Sequence, residues 1–200
     1  MAFQPQRVTP RLVLFTRYPV PGEAKTRLIP MLGAKGAADL HRTLTERTVA
    51  MLMAAAGSFE VHGTGAPVGA FRDWLGKGLT IIPQAEDGLG ERLLAALDPA
   101  PCIFFGADTP DLSPEIIAQA IAALDNYDGA IGPADDGGYY LIGMRAPLPA
   151  LFTDMAWSTE TVFTETMRRV ADLGLNFLIL ETLSDCDRPE DLARWPWLAT

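Results

Sequence analysis

The chain is poor in the residues and patterns that mark several large classes of protein. Its two cysteines, Cys102 and Cys186, are too few for a disulfide scaffold and form no C-x-x-C pair. Its two histidines, His41 and His62, have no partner at a metal-binding or catalytic-triad spacing. No segment approaches the roughly 18 apolar residues that cross a bilayer. These absences argue against a disulfide-rich secreted protein, a histidine metal centre, a Ser-His-Asp hydrolase and a membrane protein.

Basic residues are also scarce, because 16 Lys and Arg stand against 25 Asp and Glu and give a net charge of −9. DNA and RNA are therefore poor candidate partners, since neutralising their phosphates takes clustered cations. Residues 1–10 hold no apolar stretch of the signal-peptide type, and we predict a cytoplasmic protein. A chain of 200 residues, 48% of them hydrophobic, suits one globular domain over residues 1–200.

One basic segment stands out against this acidic background. The apolar residues 12–15 lead into a Pro/Gly loop with three cations, Arg17, Lys25 and Arg27. Backbone N–H groups and fixed positive charges at the carboxyl end of a strand are a common phosphate-binding arrangement. The loop lacks the G-x-x-x-x-G-K-[ST] spacing of kinases and GTPases, because Gly22 is its only glycine before Lys25. The pattern therefore predicts a phosphate-binding loop of another type, for a small nucleotide.

Apolar strand-like runs alternate with helical patterns along the whole chain. The predicted strands are residues 11–15, 59–62, 79–83, 102–105, 130–132, 139–144 and 175–180. The predicted helices are residues 35–56, 71–75, 90–97, a segment opened by Ser113 and Pro114, residues 159–173 with Ser158 or Thr159 as the cap, and a last turn from Pro189. This alternation predicts a mainly parallel sheet with helices on both faces, that is, a three-layer α/β/α sandwich.

Three acidic segments follow predicted strands, where ligands bind in open α/β sheets. Asp108 could hold Mg²⁺ or Mn²⁺ beside a substrate phosphate, or it could only cap a turn. Asp135 and Asp136 precede two glycines, so one could form the turn while Asp136 serves as a metal ligand, a base or a hydroxyl acceptor. Asp185 and Asp187 alternate on one side of an extended segment and could complete a cation site with Asp108, although helix capping also explains Asp187.

Two further segments carry weaker signals. Residues 88–92 form a glycine-hinged entry to a helix, and Gly90 and Arg92 in it could contact a nucleotide. Trp157 could line an acceptor pocket or pack in the core. The C-terminal Trp195 and Trp197 are predicted to pack rather than to take part in chemistry.

Taken in order, these segments resemble the DUF2064 family. The motifs are F-x-R-x-P-x-P-G-x-x-K-T-R-L at 15–28, L-G-E-R at 89–92, G-x-D-x-P at 106–110, G-P-A-x-D-G-G-Y-Y-L-I-G at 132–143, W-S-T at 157–159 and D-x-D-x-P-E-D-L at 185–192. That family belongs to the nucleotide-diphospho-sugar transferase superfamily with the GT-A, Rossmann-like fold. Some members are named as glycosyltransferases of arsenosugar biosynthesis. The 2-phospholactate guanylyltransferases are similar in the basic loop and in the terminal D-x-D-x-P.

The resemblance implies a role for each candidate residue. The candidate nucleotide-binding residues are Arg17, Gly22, Lys25, Thr26, Arg27, Gly90 and Arg92. The candidate ligands of Mg²⁺ or Mn²⁺ are Asp108 and Asp187, and the candidate catalytic residues are Lys25 and Asp136, with Asp136 facing the acceptor or sugar. The chain departs from the usual glycosyltransferase motif Asp-x-Asp, because Gly106 takes the place of its first acid.

The resemblance also implies the reaction class. We expect a transferase with a nucleotide or nucleotide-sugar donor and a small-molecule acceptor, and glycosyl transfer is the favoured reaction. Nucleotidyl transfer with release of pyrophosphate is the first alternative, and a non-catalytic nucleotide-binding domain is the second. The sequence leaves the donor base, the sugar, the acceptor and the oligomeric state open.

Overall fold

The structure, a computed structural model, describes residues 9–56, 58–86 and 88–199, so the signal-peptide prediction for residues 1–10 lies almost wholly outside it. Seven strands form one sheet: β1 (Arg11–Arg17), β2 (Glu60–Thr64), β3 (Thr80–Pro83), β4 (Cys102–Phe105), β5 (Gly129–Pro133), β6 (Tyr139–Met144) and β7 (Phe177–Ile179). Their spatial order is β3-β2-β1-β4-β6-β5-β7. Only β6 runs antiparallel to its neighbours among these strands, which confirms the predicted mainly parallel sheet.

In the described part of the chain, five α-helices cover the sheet. They are α1 (Ile29–Ala56, with non-helical Gly33), α2 (Val68–Leu75), α3 (Leu89–Ala96), α4 (Pro114–Ala123) and α5 (Val162–Asp172). Short 3-10 helices cover Thr26–Leu28, Pro149–Leu151, Pro189–Arg194 and Pro196–Ala199. Within the described ranges, no helix combines the length and the hydropathy that a membrane span requires.

Side chains on alternate strand positions pack into two separate cores, one on each face of the sheet. In β1, Leu14 packs with the core that contains residues of α1, α2 and α4, whereas Val13 packs with the core under α3 and α5. In β4, Phe105 and Phe104 divide in the same way. This period of two places helices on both faces and confirms the three-layer α/β/α sandwich.

The starts of α4 and α5 test two predictions, of which the first is confirmed and the second is wrong. Ser113 accepts a hydrogen bond from Ile116 N and caps α4, as predicted. The prediction that Ser158 or Thr159 caps a helix starting at residue 159 is wrong, because α5 begins at Val162. The Thr159 hydroxyl instead donates to the carbonyl oxygen of Ala156, which closes a turn before the helix.

The topology brings the candidate residues to one edge of the sheet. The loops that follow β1, β4 and β7 leave from the carboxyl ends of parallel strands, which all lie at this edge. Because β6 returns antiparallel to β5, the turn between them, residues 134–138, lies at the same edge. The basic loop and all three acidic segments are therefore neighbours in space.

Candidate active site

The basic loop after β1 and the acidic segments after β4 and β7 meet at one lysine. Lys25 Nζ lies 2.8 Å from Asp108 Oδ1 and 3.5 Å from Asp187 Oδ1, and its side chain is only 3% exposed. We call Lys25, Asp108 and Asp187 the Lys25 cluster. Arg27 pairs with the other carboxylate oxygen of Asp187, but its side chain is 61% exposed. Three segments that are far apart in the sequence thus converge on one point, as predicted, while the roles of these residues stay predictions.

The loop that carries Lys25 adopts an uncommon backbone conformation. Lys25 has φ 49° and ψ 46°, in the left-handed region, which costs a non-glycine residue about 1–2 kcal/mol. Gly22 also has a positive φ of 89°, a conformation that favours glycine. The carbonyl oxygen of Lys25 accepts from Leu28 N at 2.9 Å and so opens the short 3-10 helix that begins at Thr26. The ion pairs of Lys25 and this turn together hold the strained residue.

Main-chain hydrogen bonding fixes the two acidic segments against each other. Cys186 N donates to the carbonyl oxygen of Asp108 at 2.8 Å, so the end of β4 is tied to the segment that carries Asp187. The neighbouring Thr109 hydroxyl donates to Asp185 Oδ1 at 2.5 Å. The spacing of the acidic side chains is therefore set by the backbone as well as by their own contacts.

The charges of the Lys25 cluster reinforce one another. Burial lowers the pKa of Lys25, but the Asp108 and Asp187 carboxylates raise it by more, so the pKa lies above its ordinary value. Burial likewise raises the pKa of Asp108, but Lys25 and His41 lower it by more. Lysine and carboxylate are thus both charged at neutral pH, and the contact is an ion pair.

Asp185 behaves differently, although it lies in the same acidic segment. Burial, then the negative charge of Asp108, raise its pKa to about 7; the Thr109 hydrogen bond and the charge of Lys25 oppose this rise, and Asp136 adds to it. A carboxyl group that titrates near neutral pH is suited to proton transfer. Sequence reasoning considered Asp185 only as a cation ligand, because the sequence alone does not reveal its burial or its acidic neighbours.

His41 is a site residue that sequence reasoning missed. Its Nε2 donates to the carbonyl oxygen of Arg17 at 2.9 Å, and its Nδ1 faces Asp108 Oδ1 at 3.9 Å. Burial is the main cause that lowers the pKa of His41, against the opposing effect of the Asp108 carboxylate. His41 therefore ties α1 to the end of β1 and lies behind the Asp108 carboxylate. A polar residue on the apolar face of α1, between Leu40 and Leu44, is the signal that could have identified it.

A cleft of about 800 Å³ opens beside the Lys25 cluster. The acidic and basic residues that line it are Arg27, Asp108, Asp135, Asp136, Glu160, Asp185, Asp187, Arg188, Asp191 and Arg194. Acidic side chains outnumber basic ones in this lining, so the cleft favours neutral or positively charged groups away from the basic loop.

The turn between β5 and β6 forms one rim of the cleft. Asp136 Oδ1 accepts from Gly138 N at 2.8 Å, so Asp136 is a turn former and a cleft residue at once. Asp135 lines the same cleft and pairs with Arg194 at 2.7 Å. The sequence prediction divided these roles between the two residues, whereas the structure places both side chains in the cleft.

Aromatic side chains form another part of the cleft wall. The Trp157 ring stacks on Phe152 and meets Tyr139 edge-on, with centroids 6.4 Å and 6.5 Å away. A Cβ at Gly90 would lie 2.7 Å from Trp157 Nε1, so glycine is needed there for α3 to approach the wall. At Gly137, whose φ is 89°, a Cβ would overlap the carbonyl oxygen of Glu160. Two glycines of the predicted motifs thus serve close packing around the cleft.

Several predicted nucleotide-binding residues lie away from the described cleft lining. Arg17 Nη1 pairs with Glu23 Oε2 at 3.6 Å, inside the basic loop. Arg92 Nη1 donates to Gln84 Oε1, and the Gln84 amide donates to the carbonyl oxygen of Thr16. Arg92 therefore connects α3 to the end of β1. The residues of the predicted set that do not line the cleft are Arg17, Gly22, Lys25, Thr26, Gly90 and Arg92.

The donor atoms of the Lys25 cluster fit a hard divalent cation. Asp108 and Asp187 direct one oxygen each at the same point, and the buried Asp108 Oδ1 accepts no hydrogen bond of regular geometry. Among the described residues, no three Asp, Glu, His or Cys side chains are grouped as a ready metal site. Magnesium is usually bound by one or two carboxylates together with substrate phosphates, so this pair suits it when a phosphate supplies further oxygens.

Comparisons with known proteins bear on the fold and the family. A family model described as "Uncharacterized protein conserved in bacteria (DUF2064)" matches residues 40–159. No curated protein matches the chain. A candidate nucleotide-diphospho-sugar transferase from Desulfovibrio desulfuricans G20 is 31% identical, with a TM-score of 0.83 over 88% of this chain and 81% of that one.

Two more distant structures share the fold at low identity. The inositol-1-phosphate CTP transferase from T. maritima is 11% identical, with a TM-score of 0.60 over 97% of each chain. Glucosyl-3-phosphoglycerate synthase from Mycobacterium tuberculosis, in complex with Mn²⁺, UDP and glucosyl-3-phosphoglycerate, is 10% identical, with a TM-score of 0.55 over 92% of this chain and 75% of that one. The predicted nucleotide-diphospho-sugar transferase fold is thereby confirmed.

Proposed function

Because the chain belongs to the DUF2064 family, we propose that it is a transferase that uses a nucleotide-activated donor. Glycosyl transfer from a nucleotide-diphospho-sugar to a small-molecule acceptor is the favoured reaction. The observation that carries this proposal is the convergence of Lys25 with Asp108 and Asp187 at the carboxyl edge of the sheet. The relative from Desulfovibrio desulfuricans, a candidate nucleotide-diphospho-sugar transferase, supports the same reaction class. One domain over residues 1–200 carries the function.

In this proposal the basic loop binds the donor diphosphate. Arg27 is exposed beside Asp187 and can turn its guanidinium towards a phosphate, with Lys25 behind it. Arg17 and the backbone around Gly22 and Thr26 extend the same positive surface, and Arg92 supports it through Gln84. Mg²⁺ or Mn²⁺, held by Asp108 and Asp187, would offset the charge that develops on the leaving diphosphate.

The acceptor binds in the acidic cleft. Its hydroxyl group must lose a proton when it attacks the sugar carbon, and Asp136 on the cleft rim is the proposed acceptor of that proton. The aromatic wall of Tyr139 and Trp157 offers an apolar surface for the sugar or the acceptor, and it excludes water from one side of the reacting groups.

Nucleotidyl transfer is the second candidate function. A lone Asp108 replaces the glycosyltransferase Asp-x-Asp motif, and the C-terminal Asp187 shares the Lys25 ammonium with it. In that reaction the acceptor attacks the α-phosphorus of a nucleoside triphosphate, so the products are a nucleotide conjugate and pyrophosphate. The same basic loop would then stabilise the leaving pyrophosphate.

A product assay separates these reactions. The protein is incubated with nucleoside triphosphates and nucleotide-sugars, with Mg²⁺ or Mn²⁺ and a set of small acceptors. Free nucleoside diphosphate formed from a nucleotide-sugar supports glycosyl transfer, whereas pyrophosphate supports nucleotidyl transfer. Thermal stabilisation by a nucleotide without turnover would indicate a binding domain instead. Absence of binding to every nucleotide would refute all three.

A further inference from the structure

The Lys25 ammonium lies where a divalent cation would have to bind. We propose, on the basis of the function above, that Lys25 competes with the cation for Asp108 and Asp187, and that donor binding moves it onto the diphosphate. Lys25 then lowers the affinity of the donor-free site for the metal. Metal and donor bind as a unit, because each removes an obstacle to the other.

The contacts favour a competing role over a simple phosphate-binding role. A lysine that waits for a phosphate is expected to be solvated, as Arg27 is with 61% of its side chain exposed. The Lys25 side chain is 3% exposed and lies within 3.5 Å of both carboxylates. Its ammonium therefore occupies the point that the two Oδ1 atoms share, and a cation cannot bind both oxygens while it stays there.

The charges explain why the exchange depends on the donor. If Lys25 left with nothing in its place, the neighbouring carboxylates of Asp108 and Asp187 would repel each other. A divalent cation restores the balance between them, but the displaced ammonium then needs a new anion, and the donor diphosphate provides it. Binding of the metal and the donor should therefore be coupled, and the coupling must be reciprocal.

The conformation of the loop leaves room for this movement. Lys25 holds a left-handed backbone conformation that is strained for lysine, next to a loop with Gly22 at positive φ. Relaxation of Lys25 to an ordinary conformation would offset part of the cost of breaking its ion pairs. The flexible four-carbon side chain can also move without the backbone.

The test is a Mn²⁺ titration without nucleotide, followed by electron paramagnetic resonance of free Mn²⁺. Lys25→Met should bind Mn²⁺ about tenfold more tightly than the wild-type protein, a difference of ~1.4 kcal/mol. Lys35→Met is the matched control, since Lys35 is 84% exposed and pairs with Asp39 on α1. It should bind Mn²⁺ as the wild type does. Equal or weaker Mn²⁺ binding by Lys25→Met would overturn the proposal.

A measurement on the wild-type protein covers the case in which Lys25→Met does not fold. The chain has three lysines, Lys25, Lys35 and Lys77, so side-chain ¹⁵N resonances are readily assigned. Saturating Mg²⁺ should shift the Lys25 resonance and leave the other two unchanged. An unmoved Lys25 resonance would overturn the proposal. Failure of every nucleotide to bind would refute the proposed function instead, and these metal titrations would still decide whether Lys25 competes with the cation.

Discussion

The two sides of the cleft differ in how their charged side chains are paired and buried. In the Lys25 cluster each charge has a partner, and the lysine between the carboxylates is buried. On the rim and wall, Asp136 accepts a backbone hydrogen bond, and among the described residues no cation lies within ion-pair distance of Asp136 or Glu160. A paired, buried cluster suits a diphosphate and metal of fixed geometry, whereas the rim leaves charge and aromatic surface available for a variable acceptor.

The largest effect on donor affinity is expected at the Lys25 cluster. Asp108→Asn removes one charge from the Lys25 cluster and leaves a buried ammonium with one partner fewer. Donor affinity should fall by two to three orders of magnitude, ~3–4 kcal/mol, as for other truncated buried charge pairs. Isothermal titration calorimetry with the donor measures it.

Asp135→Asn is the matched control on the rim. Asp135 pairs there with Arg194, half of whose side chain is exposed. Exposed ion pairs contribute about 0–1 kcal/mol, so donor affinity should change by about threefold or less. Similar losses for the two variants would show that the two sides of the cleft do not differ in donor binding.

The next effect concerns the stability of the rim. Gly137→Ala forces a Cβ into the carbonyl oxygen of Glu160 at a positive φ. Left-handed strain and overpacking together should lower the free energy of unfolding by about 2–4 kcal/mol. Gly174→Ala is the control, because Gly174 also has a positive φ but nothing lies near its added Cβ. Urea unfolding should show only about 1 kcal/mol for Gly174→Ala, and an equal loss in both variants would contradict the close contact.

A smaller effect is expected at the aromatic wall. Trp157→Ala removes the ring that stacks on Phe152 and faces the cleft. The KM for the acceptor should rise about tenfold, because a buried aromatic contact is worth about 1–2 kcal/mol. Trp197→Ala serves as the control, since Trp197 is 46% exposed and packs over Arg47 instead. A rise in KM for the donor but not for the acceptor would assign the wall to the other substrate.

The last and smallest effect concerns the two cysteine thiols, which should stay unreactive in the folded protein. Burial is the main cause that raises the pKa of Cys102 and of Cys186 to about 11. Because only the thiolate reacts, both should resist Ellman's reagent at pH 7.5 and react once the protein is unfolded. Folding favours the thiol form, so the free energy of unfolding falls as the pH rises from about 9 through 11. Rapid reaction of Cys186 alone would show that the paired side opens in solution.

Much of the fold follows from the sequence, because it depends on local patterns. The fully apolar run 102–105 is β4 without any change of bounds, and the two-aspartate, two-glycine turn is the β5–β6 connection. The meeting of Lys25 with Asp108 also follows, since both come after strands whose carboxyl ends share an edge. A rule about topology therefore carries information about side chains that are far apart in the sequence.

The details of the site depend on contacts that local patterns do not contain. The position of His41 behind Asp108 and the raised pKa of Asp185 arise from the packing of separate segments. The wrong start of α5 has a different origin, because Thr159 could bond to the helix or to the preceding turn, and the turn forms. Propensity alone does not choose between two such local hydrogen bonds.

One main-chain hydrogen bond sets the spacing of two acidic segments in the site. Cys186 N reaches the carbonyl oxygen of Asp108, so the distance between the two candidate metal carboxylates is inherited from peptide groups. Substitution of the side chains around this bond leaves its two peptide groups in place. The thiol of residue 186 is dispensable for that purpose, but its amide hydrogen is not. Proline is thus the one natural residue that would remove this hydrogen bond at position 186, because it has no amide hydrogen.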